Sequence, residues 1–194
     1  MSAKKSSIDW LGVIFWSLAT GLFLAYTLQS PSVLNVGLLL YYTLVVFFLL
    51  ERRAQTKGAP WYETIFAWIG AVFPMFVLRL HPTGVLWMGS AVQLLALALT
   101  LYTLYSLGYS FGIAPADRGL VTSGPYRFVR HPLYAGEILF FLGYLISSPT
   151  WRNAVGVTLA LGFDLIRIEM EEKLLGGYSE YKEKVRWRLI PGIY

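Results

Sequence analysis

Three sets of polar side chains stand where chemistry is possible. His131-Pro132 ends a polar stretch and opens an apolar one. Glu137 follows about one and a half turns into that apolar stretch. Arg167, Glu169, Glu171 and Glu172 cluster where the next apolar stretch ends. Carboxylates can take charge-assisted hydrogen bonds or protons, and an arginine can hold a carboxylate or phosphate. Arg167 and Glu171 are four residues apart, so on a helix they share one face; a surface ion pair at a helix end would show the same spacing. An ionisable group inside a membrane-spanning stretch is costly and often functional, though Glu137 is shallow enough to snorkel. His131 alone reads equally as an interfacial cap. With no cysteine, thiolate nucleophiles, disulfides and cysteine-ligated metals are excluded.

These groups are set in a very apolar chain. It is 56% hydrophobic and only 14% charged over 194 residues, where a soluble domain carries about 25% charge. That excludes a disordered chain, a disulfide scaffold and an ordinary soluble enzyme. The apolar residues fall in long blocks: Trp10 to Leu28, Val33 to Leu50, Trp61 to Leu78 and Val85 to Tyr105. Runs of about 17–25 apolar residues are expected to span a bilayer. Two shorter blocks, Leu133 to Ser148 and Ala154 to Ile166, are interrupted only by Glu137 and Asp164, and Ser148-Pro149-Thr150 marks a tight turn between them. The expected fold is therefore all-α: a polytopic membrane helix bundle of about five to six transmembrane helices with a C-terminal helical hairpin. Lys4 and Lys5 precede a run too long for a cleavable signal, so the first block is expected to be a spanning helix.

With the N-terminus inside and six passes, fourteen of the sixteen Lys and Arg residues fall inside, and only Arg79 and Arg152 fall outside. This obeys the positive-inside rule and predicts cytosolic termini. His81 and His131 then lie on opposite sides, which argues against a bis-histidine site. The basic residues are distributed among membrane flanks, so nucleic-acid binding is excluded. The polar mass collects in Glu51 to Pro60, in Ser106 to Pro132 and in Arg167 to Tyr194. The middle piece has four Gly, three Pro and no clear helical period. A loop of that length is usually functional or disordered, and Tyr109, Phe111, Tyr126 and Phe128 argue against disorder. The site is expected at the cytosolic membrane face, built from residue 106 onward, with the hairpin returning Arg167–Glu172 beside His131.

Leu120-Val121-Thr122-Ser123-Gly124-Pro125-Tyr126-Arg127, then Arg130-His131-Pro132-Leu133-Tyr134-Ala135-Gly136, then Arg167 with Glu171-Glu172 resembles the isoprenylcysteine carboxyl methyltransferases and the related phospholipid N-methyltransferases. Gly108 to Ile113 looks like the lead-in of bacterial members, and Tyr181 with Arg188-Leu189-Ile190-Pro191-Gly192 like the family's tail. The resemblance covers residues 85 to 194; the first 80 match only as apolar helices. Residues 1–80 are thus read as N-terminal transmembrane helices, and 81–194 as the catalytic region of one integrated domain. The resemblance implies S-adenosylmethionine in a largely enclosed cytosolic pocket, and a lipid-like acceptor entering from the bilayer. A prenylcysteine-like carboxylate is favoured, and a phospholipid amine or a small hydrophobic thiol or acid also fits. Cofactor contacts are expected at Arg118, Gly119, Leu120, Val121, Tyr126, His131, Pro132, Leu133, Tyr134 and Glu171. Catalytic roles are expected at Arg167 and Glu172. One departure is that only Gly176 and Gly177 separate Leu175 from Tyr178, a shorter segment than in the relatives. A multi-pass protein of a bacterial or archaeal inner membrane is expected, with oligomeric state open.

The residue chemistry suits that cofactor. Glu171 can take its ammonium, His131 and loop N–H groups its carboxylate, and Tyr126, Tyr134, Leu120, Val121 and Leu133 its adenine and methionine chain. Pro132 needs no N–H at a helix start, and Gly136 allows close helix approach. Arg167 can hold an anionic acceptor; for an amine acceptor, Glu137 or Glu172 can take the proton. Tyr126 and Tyr134 also read as belt aromatics, and Arg130 as a headgroup anchor. Two other readings compete: an NADPH-dependent enzyme resembling the sterol reductases, and a non-catalytic membrane scaffold or haem- or metal-handling protein.

Overall fold

The computed structural model describes residues 7–79 and 83–193, with side chains from Trp10 onward. Lys4, Lys5 and His81 lie outside the described residues. Each apolar block forms a helix: α1 (Ser7–Gln29), α2 (Val33–Glu51), α3 (Trp61–Val77), α4 (Leu86–Leu107), α5 (Pro132–Ser147) and α6 (Trp151–Leu174). A short α7 (Tyr178–Lys184) follows. Among the described residues, three helical stretches are long and apolar enough to cross a membrane: Trp10–Gln29, Val33–Glu51 and Leu86–Ser110. α3 and α5 are apolar but shorter. α6 has the length, but Asp164, Arg167 and the acids after them interrupt its apolar run. Leu18, Leu22, Trp87 and Trp151 face outward, the reverse of a soluble bundle and the arrangement a bilayer requires.

The helix ends follow local chemistry. Ser32 and Thr150 accept hydrogen bonds from the N–H groups of Asn35 and Asn153, at 3.0 and 3.2 Å, capping α2 and α6. Pro132 begins α5, where its missing N–H costs nothing. α4 and α5 form the tightest pair because small residues face each other: a Cβ on Gly89 would lie 2.0 Å from Ser147 Oγ and 2.6 Å from the Gly143 carbonyl oxygen. A Cβ on Gly136 would meet Thr100 Oγ1 at 2.4 Å. Such small-residue seams let membrane helices approach closely. At the far end, buried Asn153 donates to the Arg79 carbonyl (2.9 Å) and accepts from the Arg79 N–H (3.0 Å), tying the end of α3 to the α5–α6 turn. α3 also packs along α6, and α2 along α4, so the first three helices wall the space that α4, α5 and α6 enclose.

The stretch 106–132, which showed no helical period, is ordered by short turns and one strand pairing. It carries 3-10 turns at Gly108–Ser110 and Gly124–Arg127. Between them, β2 (Ala116–Asp117) pairs antiparallel with β1 (Lys57–Gly58), with Lys57 opposite Asp117. Thr56 N–H donates to the Asp117 carbonyl at 2.8 Å and Ala59 N–H to that of Pro115 at 3.1 Å. The loop after α2 therefore braces the long loop from behind. α6 continues eight residues past the apolar block that ends at Ile166, so Arg167 to Glu172 are helical, and Arg167 and Glu171 share one helix face as their spacing predicts.

Candidate functional site

The loop end of the bundle opens into a cavity of about 240 Å³. Its walls are helical stripes at 3.6-residue spacing. α6 contributes Ala160, Asp164, Arg167 and Glu171, and α5 contributes Leu133, Tyr134, Glu137 and Phe141. α2 adds Tyr41, Tyr42 and Val45, and α3 adds Gly70, Ala71 and Pro74. The mouth is polar, made by Arg118, Tyr126, Arg130, His131, Glu171 and Tyr178; the depth, by Leu38, Leu97, Phe140 and Met75, is apolar.

Of the expected cofactor residues, Arg118, Gly119, Leu120, Val121, Tyr126, His131, Leu133, Tyr134 and Glu171 line this cavity, as does Arg167. Pro132 is fully buried at the start of α5 and shapes the entry without lining it. Glu172 lies elsewhere: it borders a shallow outer depression with Glu169, Lys173 and Ser179. One residue apart on a helix is about 100°, so Glu171 and Glu172 face different ways.

Glu171 Oε1 accepts a 2.5 Å hydrogen bond from the Tyr134 hydroxyl. Glu172 Oε1 instead gathers the tail. It accepts from Tyr178 hydroxyl at 2.6 Å and Arg188 Nε at 2.8 Å, and lies 2.9 Å from His131 Nε2. Burial pushes this carboxyl up, but hydrogen bonds from His131, Tyr178 and Arg188 outweigh it and hold it down at about 2. Burial, with the Glu172 carboxylate beside it, pushes the Tyr178 hydroxyl well up. Tyr181, pushed up to about 12 by burial, donates to the Tyr126 carbonyl at 2.5 Å. Backbone bonds finish the docking: Arg130 N–H to Trp187 and His131 N–H to Arg188, both 2.9 Å. Asp117 ties the long loop to the segment between α6 and α7, accepting from Gly119 N–H at 3.0 Å and Gly176 N–H at 3.1 Å. Those bonds, led by that of Gly119, hold its carboxyl below the usual range.

Two sequence readings are corrected here. Arg130 is no headgroup anchor. It is buried, donates from Nη1 to the Tyr178 hydroxyl at 3.3 Å and sits 3.7 Å from Glu172, because the tail folds back over it. Arg167 is not in a surface pair with Glu171. It is 8% exposed; Nη1 lies 3.5 Å from Asp164 Oδ1, Nη2 donates to the Ile113 carbonyl at 3.2 Å, and its guanidinium lies 5.2 Å from the centre of the Tyr134 ring. Asp164 is one turn earlier on the same stripe and therefore nearer.

A family model described as Phospholipid methyltransferase matches residues 83–179, from the start of α4 to the start of α7. The chain belongs to the phospholipid methyltransferase family. It is a membrane protein by that membership and by its three long apolar helices. It is also similar, 41% identical over 71 residues, to the cobalt-zinc-cadmium resistance protein CzcN of Cupriavidus metallidurans; the match covers 34% of this chain and 32% of that relative. The chain thus spans about a third of the length of the curated relative it matches.

The matched segment carries α4, the long loop, the α5–α6 hairpin and Tyr178 at the start of α7, and with them all six residues of the polar mouth. Sequence reasoning did not single out Tyr41, Asp164, Tyr178 and Tyr181, which also line the cavity. Asp164 carried a usable signal: with Arg167 and Glu171 it completes a three-then-four spacing on one helix face. Tyr41 carried none, since it sits in a block that is apolar all round.

Proposed function

We propose that the protein is an S-adenosylmethionine-dependent membrane methyltransferase acting on a lipophilic acceptor. One observation supports this most. Among the described residues, six buried side-chain polar atoms find no hydrogen-bond partner, and five of these belong to cavity-lining residues: Trp16 Nε1, Tyr126 Oη, Arg130 Nε, Asp164 Oδ2 and Arg167 Nε. Buried polar atoms are nearly always paired, so five orphans around one cavity mark it as a place for a polar ligand. The donor set suits the cofactor: Glu171 for an ammonium, His131 and Arg130 for a carboxylate, Tyr126 and Tyr134 against a flat ring. When bound, that cofactor supplies an electrophilic methyl group. The residues of the chain then position and exclude. Tyr134 aims Glu171, Gly119 gives the loop a turn at φ 93° that side chains disfavour, and Tyr178 and Tyr181 close the mouth. Positioning supplies most of the rate in a displacement of this kind, and a water-poor apolar depth keeps the nucleophile desolvated. The apolar depth reached between α2, α3 and α6 is where the acceptor enters from the bilayer. Glu172 acts as a positioning residue that holds the tail over the cofactor end. We place the mouth, with both termini, on the cytosolic side of a bacterial or archaeal inner membrane, on the basis of the charge distribution.

Calorimetric titration of the detergent-purified protein tests the reading. S-adenosylmethionine and its demethylated product, S-adenosylhomocysteine, should both bind, and Glu171→Ala should weaken each about tenfold or more. No heat with either ligand in a folded sample refutes the proposal, and binding of NADPH in their place supports the reductase.

A further inference from the structure

The six mouth residues all lie in the matched segment, yet one of them is held from outside it. Arg118 is buried and lines the cavity, so its long side chain needs fixed partners to present one geometry. Nη2 donates to Gln55 Oε1 at 3.2 Å, and Nη1 to the Ala114 carbonyl at 3.5 Å. Ser110 Oγ donates to the Arg118 carbonyl at 3.2 Å and fixes the backbone end. Gln55 lies on the loop between α2 and α3, exposed and outside the cavity lining. Its backbone is braced on both sides. Arg53 N–H donates to the Tyr109 carbonyl at 2.7 Å, Thr56 N–H to that of Asp117 at 2.8 Å and Ala59 N–H to that of Pro115 at 3.1 Å. Two glycines leave room for the side chains. A Cβ on Gly112 would lie 2.5 Å from Arg118 Nη1, and one on Gly58 would lie 2.7 Å from Gln55 Nε2. Neither glycine has a positive φ, so space is what they provide.

We infer that Gln55 is a positioning residue for the cofactor end of the cavity, acting through the guanidinium of Arg118. This deepens the methyltransferase reading and rests on it. A free arginine side chain loses much rotamer freedom when a ligand immobilises it. One already held by Gln55 and the Ala114 carbonyl has lost that freedom before the ligand arrives, so more of the contact energy appears as affinity. The hydrogen bond also sets the plane of the guanidinium, and with it the direction of its remaining surface toward the mouth. The α2–α3 loop therefore does more than brace the long loop from behind. Through one side chain it sets a group at the mouth, and the segment 83–179 is incomplete without it.

The test measures S-adenosylhomocysteine affinity by calorimetry on the full-length protein in detergent. Gln55→Ala and Gln55→Met both remove the acceptor, and the second keeps the length of the side chain. Each should weaken the ligand about fivefold, the part of one hydrogen bond to a charged group that reaches the ligand. Gln55→Glu keeps an acceptor at the same reach and should stay within about twofold of wild type. Gly58→Ala, whose new methyl crowds the Gln55 side chain, should weaken the ligand about threefold. The unfolding midpoint should stay in place in all four, since Gln55 and Gly58 are exposed. Arg118→Ala should weaken the ligand about tenfold, and adding Gln55→Ala to it should have no further effect. Wild-type affinity in both Gln55→Ala and Gln55→Met overturns the proposal. So does a loss in Gln55→Glu equal to that in Gln55→Ala, or a full further loss when Gln55→Ala is added to Arg118→Ala. If wild type binds no S-adenosylhomocysteine, the methyltransferase reading falls and this one with it; if wild type binds it and the Gln55 variants match wild type, only the role of Gln55 falls.

Discussion

Glu172→Ala should undock the C-terminal tail. One oxygen of Glu172 accepts from Tyr178 and Arg188 and lies 2.9 Å from His131, with Arg130 at 3.7 Å. Removing one partner of a buried charged cluster costs about 3–5 kcal/mol. The Glu172 side chain is 15% exposed, so the lower end applies, about 3 kcal/mol, or about 150-fold in the local opening equilibrium. The backbone supplies the reporter. The amides of Arg130 and His131 donate to Trp187 and Arg188, so their hydrogen exchange reads tail docking directly. Exchange there should accelerate about 100-fold in Glu172→Ala, and less in Glu172→Gln, which keeps a neutral acceptor. Amides in the middle of α4 should not change. Acid should mimic the substitution. The folded carboxyl sits at about 2, below its ordinary 4.5, so its contribution is complete above about 4.5 and is lost as pH falls through about 2. Less than threefold acceleration at Arg130 and His131 in Glu172→Ala would show that the tail is held by packing, with the carboxylate incidental.

Three further outcomes are expected. Gly89→Ala places a methyl 2.0 Å from Ser147 Oγ; overpacking of that kind costs about 1–3 kcal/mol, seen as a lower unfolding midpoint by tryptophan fluorescence, whereas Gly21→Ala, with nothing within 4 Å, should leave the midpoint unchanged. Tyr134→Phe removes the hydrogen bond that aims Glu171 and should weaken S-adenosylhomocysteine binding about fivefold; unchanged affinity would remove Glu171 from the cofactor end. Gly119→Ala meets only ordinary contact with Arg53 at 3.5 Å, but its φ is 93°, so backbone strain of about 1–3 kcal/mol should weaken cofactor binding with little change in the unfolding midpoint.

The helices were legible because apolar blocks and turn residues mark them without tertiary help. The ends of α1 to α5 lie within three residues of the sequence reading. α6 overran its block because membership of a helix does not require apolar side chains once a protein surface receives the polar ones: Arg167 and Glu171 meet the cavity, and Glu172 meets the tail. The β1–β2 pairing was hidden because two strands of two residues each leave no period to detect; only the fold brings Lys57 to Asp117. The motif residues pointed to the cavity mouth, yet spacing alone could not divide Glu171 from Glu172, nor show that Arg130 is covered by a segment almost fifty residues later.

That division explains why two adjacent acids stand together on α6. The bundle must hold a polar mouth open to a charged ligand and also close it against water, and the same carboxylate cannot do both. Three partners, Tyr178, Arg188 and His131, hold Glu172 to the tail and the loop, whereas Glu171 takes its hydrogen bond from Tyr134 inside the cavity and faces the space where a ligand would sit. The hairpin geometry assigns the roles: Glu171 shares the stripe of Ala160, Asp164 and Arg167 and so faces the cavity, while the next residue, turned about 100°, faces the returning tail. Among the described residues, five of the six unpaired buried polar atoms belong to residues lining the cavity, while Arg130, His131 and Arg188 all pair with Glu172. Exchanging the two, as in Glu171→Gln against Glu172→Gln, should therefore separate ligand affinity from tail protection. The first should weaken S-adenosylhomocysteine with Arg130 and His131 amides still protected; the second should loosen those amides and weaken the ligand only as far as the lid matters. Loss of tail protection in Glu171→Gln would refute the division.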